Sequence, residues 1–167
     1  MKMLLAVSAA ALAVSFVSAQ TSHPPPSTAQ SIKRQFTDVN RKVLTMAKDF
    51  PADKYDFRLK PEMRSFGEVI IHIASGNVFA TKIGRGENVN WDELDPKKFS
   101  GKEAIVAEFE KSVKESEAVL DGVPDASLEK TARPWIGVLE HSAEHYGLLV
   151  AYYRANGLVP PESRPQH

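Results

Sequence analysis

The sequence contains no cysteine among its 167 residues. This absence excludes disulfide bonds, Cys-ligated zinc, iron–sulfur clusters, c-type haem attachment and a cysteine nucleophile. Any metal ion must therefore be held by His, Asp or Glu. The chain also lacks an excess of either charge, since 21 Lys and Arg residues balance 21 Asp and Glu residues. That balance argues against a general nucleic-acid-binding protein, which normally carries a basic surface.

Long apolar runs are scarce, and the clearest one lies at the N-terminus. Residues 4–17 form an uncharged apolar run after Lys2, and small residues at 17–19 occupy the positions that a signal peptidase reads. A membrane-spanning helix needs about 20 apolar residues, so the run is short for a span, and an uncleaved N-terminal anchor is the alternative. We predict a signal peptide over residues 1–19. The mature protein is then periplasmic or extracellular, with no membrane attachment.

The rest of the chain predicts an all-α protein of one domain. Residues 20–27 are rich in proline and predict a linker that cannot begin a helix. Residues 28–160 contain four segments with helical periodicity and no strand pattern of any length, which predicts a four-helix bundle. Residues 161–167 contain further prolines and predict an extended tail.

The ends of the four helices follow from capping and stop signals. Ser65 with Glu68, and Ser100 with Glu103, have the spacing of a capping box at a helix N-terminus. Pro134 favours the first turn of the fourth helix. The predicted helices cover residues 28–48, 65–84, 100–122 and 134–156, with longer loops at 51–63 and 84–99.

Three histidines carry the main functional signal. His141 and His145 are four residues apart, so they lie on one face of a helix, on an apolar stripe formed by Val138, His141, His145, Leu148 and Tyr152. His72 has a similar position on the second helix. Buried imidazoles need partners for their ring nitrogens, and one shared cation satisfies three of them. Three ligands leave coordination positions open, as in catalytic metal sites.

Two core histidines hydrogen-bonded to Ser or Glu are the alternative to a metal site. The sequence has no His-Glu-x-x-His, and no Glu stands three residues before any of the three histidines, so neither a zincin protease nor a helical di-iron site is supported. Glu68 lies four residues before His72 and is a candidate catalytic residue that orients His72 or acts as a base. Its alternative role is the helix cap.

Two segments carry motifs that can be compared with a known family. They are Arg64-Ser65-Phe66-Gly67-Glu68 followed by His72-Ile73-Ala74, and Glu140-His141 followed by Glu144-His145-Tyr146-Gly147. Both resemble motifs of the DinB-like, damage-inducible metalloprotein family, and the resemblance covers nearly all of residues 28–163. It implies a four-helix bundle that binds a divalent metal ion through three histidines, at positions His72, His141 and His145, and a homodimer. Relatives in the wider superfamily transfer small thiols such as mycothiol, bacillithiol or glutathione.

Together these observations predict an exported protein that binds a divalent metal ion at three histidines. The ion is predicted to be Zn²⁺, with Ni or Fe as alternatives. The protein is expected to act as a metal-dependent hydrolase or thiol transferase on an unidentified small molecule or thiol, although its export weakens the thiol option because the usual thiol cofactors are cytoplasmic. A non-catalytic bundle that binds a metal or small ligand is the alternative. Trp91 is expected to pack its loop onto the bundle rather than to bind a partner protein.

Overall fold

Four α-helices make up most of the structure, a computed structural model that describes residues 25–165 except the side chain of Glu129. The helices are α1 (Thr28–Asp49), α2 (Phe66–Gly84), α3 (Gly101–Gly122) and α4 (Asp125–Ala155). Within residues 25–165 no strand forms, and none of the helices combines the length and apolar character needed to cross a membrane. The predicted all-α four-helix bundle is therefore confirmed. The predicted signal peptide over residues 1–19 lies outside the described residues.

The N-termini of the first three helices differ in how they are capped. Ser27 and Ser65 each form a complete capping box, the second with Glu68 as the sequence predicts. The box predicted for Ser100 and Glu103 is wrong, because the Ser100 side chain makes no capping hydrogen bond. Gly101, the first residue of α3, has a φ of 80°, a left-handed conformation that redirects the chain at the start of the helix.

The fourth helix begins nine residues earlier than the sequence predicts, at Asp125 rather than Pro134. A kink at Thr131, whose φ of −111° and ψ of 15° are not helical, divides it into two segments. Pro134 lies in the first turn after this kink, where its missing N–H removes no helical hydrogen bond. The proline therefore has the local role that the sequence predicts, but the chain is already helical before it.

The core of the bundle is rich in aromatic side chains from all parts of the chain. Phe50 stacks on Phe66 with ring centroids 3.8 Å apart, and both lie beside the buried Tyr153. At the other end of α2, a Cβ on Gly84 would lie 2.6 Å from the ring of the fully buried Trp135. These contacts hold α2 and α4 close together along their length, and the histidines of both helices lie between them.

The face of α4 that carries the histidines is turned partly away from the bundle axis. The buried residues of α4, among those whose side chains the structure describes, are Leu128, Trp135, Val138, Ser142, Leu149, Tyr152 and Tyr153. His141, His145 and Leu148 are only half-buried, so the apolar stripe predicted from the sequence is about one position out of register with the true core. The histidines consequently lie at the edge of the core, where they face α2 and solvent can approach.

The C-terminal segment is docked against the bundle rather than extended as predicted. Pro161–Ser163 forms a single 3₁₀ turn. Arg164 then makes two hydrogen bonds with the Asp49 carboxylate at the end of α1, at 2.9 and 2.5 Å. This ion pair holds the segment near Tyr153, whose hydroxyl also donates to Asp49.

Candidate metal centre

The three histidines predicted as ligands come together between α2 and α4. The ring centroids of His72, His141 and His145 lie 4.5 to 4.7 Å apart. Each ring can offer one nitrogen such that all three nitrogens lie within 4.8 Å of one another. The three residues are therefore positioned to bind a metal ion. They come from two helices, so only the packing of the bundle brings them into contact.

The facing nitrogens of His72 and His141 fit a shared cation. Their Nε2 atoms are 3.0 Å apart. Two imidazole nitrogens that bind one Zn²⁺ ion, each at about 2.0–2.1 Å, are separated by about 3.3–3.4 Å at the tetrahedral angle, so the two rings would move apart by a few tenths of an ångström to hold the ion. The Nδ1 atom of His141 is buried and has no hydrogen-bond partner among the described residues, whether or not a cation lies between the two Nε2 atoms.

A close approach of the α2 backbone holds the His141 ring in place. A Cβ built on Gly76 would lie 2.9 Å from Nδ1 of His141, closer than side-chain atoms normally come. Glycine at this position therefore lets the imidazole lie directly against α2. The same contact excludes water from one side of the His141 ring.

Burial keeps the imidazoles of His141 and His145 neutral, which is the form that binds a metal ion. Burial, together with the neighbouring His145 and His72 rings, lowers the pKa of His141 to about 4. Burial and the His72 ring also lower the pKa of His145. Both rings are accordingly neutral at physiological pH, and a neutral imidazole has the free lone pair that a metal ligand requires.

A carboxylate from the loop between α2 and α3 orients His72. Oε1 of Glu93 lies 3.0 Å from Nδ1 of His72, whose side chain is only 14% exposed. Because a carboxylate accepts, it favours the tautomer with the proton on Nδ1 and the lone pair on Nε2, toward His141. Arg64 in turn donates to both Glu93 oxygens, at 3.0 and 3.3 Å. No motif spacing links Glu93 to His72, so Glu93 could not be predicted from the sequence.

The loop that carries Glu93 also places Trp91 beside the site. The Trp91 ring is edge-on to Phe79, His72 and His141, with centroid distances of 5.5, 6.0 and 6.3 Å. The loop is fixed to α2 by a hydrogen bond from the Leu94 N–H to the Ser75 hydroxyl. Trp91 therefore packs its loop onto the bundle, as the sequence predicts, although 46% of the residue remains exposed.

The family of the chain follows from its sequence together with this fold. The sequence profile of the DinB superfamily matches residues 35–154, which contain all three clustered histidines. The chain belongs to the DinB superfamily. No protein with curated annotation matches it at a significant level. The resemblance inferred from the two histidine motifs is thus confirmed, whereas membership of the DinB superfamily by itself assigns no substrate.

Glu68, the other predicted site residue, is hydrogen-bonded to Arg58 and Ser65. Its carboxylate accepts two hydrogen bonds from the Arg58 guanidinium, both at 2.7 Å, and one from the Ser65 N–H at 2.7 Å. Among the described hydrogen bonds it makes none with His72, and the contact foreseen for it is made by Glu93. The structure therefore places Glu68 in the cap of α2, the alternative role that its spacing suggested.

Two cavities open on either side of the histidines. One of about 480 Å³ runs between α2 and α4, is lined mostly by apolar residues and includes His141. The other, of about 600 Å³, includes His145 and the charged side chains of Arg64, Glu68 and Glu93. Both volumes are within the range of about 300–1,000 Å³ that is typical of small-molecule sites. His141 and His145 are consequently reachable by a small molecule.

The salt bridge of Glu68 predicts a pH-dependent contribution to stability. The Arg58 guanidinium and the Ser65 N–H hold the pKa of Glu68 below its usual range. A carboxyl whose folded pKa is depressed stabilises fully above its unfolded pKa, about 4.3, and loses that effect as the pH falls through the folded value. We expect Glu68→Gln to lower the free energy of unfolding at neutral pH but much less at about pH 3.

Urea unfolding of both proteins at the two pH values measures this difference. Glu87→Gln is the matched control, because Glu87 is exposed and belongs to the loop after α2. A Glu68→Gln deficit that is equally large at both pH values would show that the charge of Glu68 is not what stabilises the cap.

Proposed function

We propose that this protein is a metal-dependent enzyme that acts on a small molecule, with a divalent ion held by His72, His141 and His145. The observation that carries the proposal is the combination of three clustered imidazoles with a cavity on each side of them. A structural metal site is normally closed by four protein ligands, whereas a catalytic site keeps a position open for water or substrate. The cavities count against the non-catalytic alternative, for which a sealed site is expected.

The residues around the histidines have distinct tasks in this proposal. His72, His141 and His145 would hold the divalent ion, which would supply the Lewis acidity that makes a water molecule or thiol a nucleophile near neutral pH. Glu93 holds the proton on Nδ1 of His72, and Arg64 fixes the Glu93 carboxylate through two hydrogen bonds. Trp91 shields the rings of His72 and His141 from solvent.

Zn²⁺ is the ion proposed, with Ni or Fe as alternatives, because imidazole ligands suit all three metals. Hydrolysis is the reaction proposed. A thiol transferase is the second candidate, supported by the superfamily and weakened by the export signal predicted over residues 1–19. The two reactions differ in the nucleophile, so product analysis with and without an added thiol distinguishes them.

The metal content of the protein tests the ligand set. Tag-free protein analysed by mass spectrometry is expected to contain about one divalent ion per chain, since three imidazoles bind one ion. The triple variant His72→Ala/His141→Ala/His145→Ala is expected to lose it, because no described residue replaces the ligands. His23→Ala, in the proline-rich linker, is the control for non-specific binding and should keep its ion. Full occupancy in a triple variant that circular dichroism shows to be folded would contradict the proposal.

The role of Glu93 is tested by its neutral isostere. Removing the hydrogen-bond partner of a ligating histidine typically lowers metal affinity by about 10- to 100-fold. We expect a loss of that size for Glu93→Gln in a competition titration against a zinc chelator. Asp92→Asn removes an exposed carboxylate from the adjacent position and should change the affinity little. Equal affinities for the two variants would mean that Glu93 does not orient His72.

We also propose that the protein acts after export, as the N-terminal pattern predicts. The support is the sequence of residues 1–19, with a charged start, an apolar run and small residues before the predicted cleavage site. N-terminal sequencing of the protein recovered from the periplasm or medium is expected to begin at Gln20. Recovery of the intact N-terminus in the membrane fraction would instead indicate the uncleaved anchor.

A further inference from the structure

The cavity beside His141 is larger and more apolar than the binding of a metal ion requires. Its walls are formed by apolar residues of α2 and α4 and by the ring of Trp91, and its lining consists of Gly76, Phe79, Ala80, Ile83, Trp91, Arg133, Pro134, Gly137, Val138 and His141. Its volume of about 480 Å³ is large enough for a small organic ligand. Contact with such walls favours an apolar group, because the group leaves water without losing hydrogen bonds.

One row of α4 that borders the cavity includes a glycine. Residues 133, 137, 141 and 145 are spaced by four, so they form one row along the helix surface. The row reads Arg133, Gly137, His141 and His145. A Cβ built on Gly137 would meet no heavy atom within 4 Å. The absence of a side chain at 137 therefore leaves the space between Arg133 and the histidines open.

The two ends of the cavity along this row differ in chemistry. His141 at one end belongs to the metal centre, and Arg133 at the other end is exposed and carries the only permanent charge among the described residues that line the cavity. Eight residues of α-helix separate them, a distance of about 12 Å along the axis. A guanidinium at the mouth of an apolar cavity favours a carboxylate or another anion.

We propose that the cavity binds the substrate of the metal centre, and that this substrate is an amphipathic small molecule with an apolar body and an anionic group. The anionic group contacts Arg133, the body lies against Phe79, Ile83 and Trp91, and the other end reaches the histidines. This assignment rests on the metal-dependent function proposed above for the histidine site. It specifies a substrate class that the three histidines alone do not determine.

A substitution on α4 that fills the cavity tests whether the apolar part of the ligand binds there. Octanoate serves as the probe, and its binding to metal-free protein is followed by calorimetry and by the change in Trp91 fluorescence. Gly137→Leu places an apolar side chain in the cavity and is expected to weaken octanoate binding at least tenfold. Gly147→Leu is the matched control, because Gly147 is an exposed glycine of the same helix with no heavy atom within 4 Å of its Cβ position and does not line the cavity.

The anionic group is tested by comparing octanoate with octan-1-ol. Arg133→Gln is expected to weaken octanoate binding by about tenfold, the effect of losing one charge-assisted hydrogen bond. Octan-1-ol has the same chain and no charge, so its affinity should stay within about twofold of the wild-type value. Octanoate binding that is absent from the wild type, or that survives in Gly137→Leu, would overturn the proposal. An equal effect of Arg133→Gln on both probes would overturn its anionic part.

Metal analysis of the same proteins separates this inference from the function on which it rests. Gly137→Leu is expected to bind Zn²⁺ as tightly as the wild type, since position 137 offers no ligand and the histidines are unchanged. Wild-type protein that binds octanoate but no metal ion would contradict the metal-dependent function and support only the ligand class. Wild-type protein that binds Zn²⁺ but no octanoate would contradict the ligand class and leave the metal site standing.

Discussion

The packing of α2 against α4 at Gly76 is the contact on which the candidate site depends. The His141 ring lies so close to α2 that a single Cβ at position 76 would come within 2.9 Å of it. This closeness brings His141 within reach of His72, with 3.0 Å between the two Nε2 atoms. The ends of the helix pair are held by large buried side chains, among them Trp135 and Tyr153. A close-packed interior resists displacement, so the spacing of the imidazoles is determined by the core of the bundle.

Partial burial explains why this cluster suits a cation rather than a set of charged histidines. Three protonated imidazoles with centroids less than 5 Å apart would repel one another, and burial adds a desolvation cost. The result is a low pKa for His141 and a lowered pKa for His145. The Glu93 carboxylate lies on the outer side of His72 and is itself held by Arg64. The arrangement combines two neutral imidazoles with a third whose outer nitrogen contacts a carboxylate, a partner that metal-binding histidines commonly have.

The two cavities beside the histidines differ in polarity, and this difference affects which molecules can approach the site. The cavity on the His145 side contains Arg64, Glu68 and Glu93, which are engaged in salt bridges. The cavity on the His141 side is largely apolar and ends near Arg133. A small molecule that approaches the site therefore meets charged groups on one side and hydrocarbon on the other. Glycines at 76 and 137 create this apolar side, one by admitting the His141 ring and the other by leaving space beside it.

Local patterns in the sequence were sufficient to predict that four helices form and that His141 and His145 share one helix face. Helical periodicity depends on neighbours three and four residues apart, and the capping box of Ser65 and Glu68 spans a single turn, so both can be recognised without tertiary structure. The same reasoning failed at Ser100, where the left-handed Gly101 changes the path of the chain, and at the start of α4, where helix forms before Pro134. A competing backbone conformation decided each of these positions.

The sequence by itself determined an all-α bundle and placed His141 and His145 on one face of a helix, because both properties follow from the geometry of a single helix. Only the tertiary structure decided that His72 joins them, that Glu93 rather than Glu68 contacts His72, and that Gly137 borders a cavity. His72 and His141 are 69 residues apart, and Glu93 lies 21 residues from His72 in a loop without regular periodicity. Contacts at such separations depend on how helices pack and where loops fold back, and no local pattern encodes either.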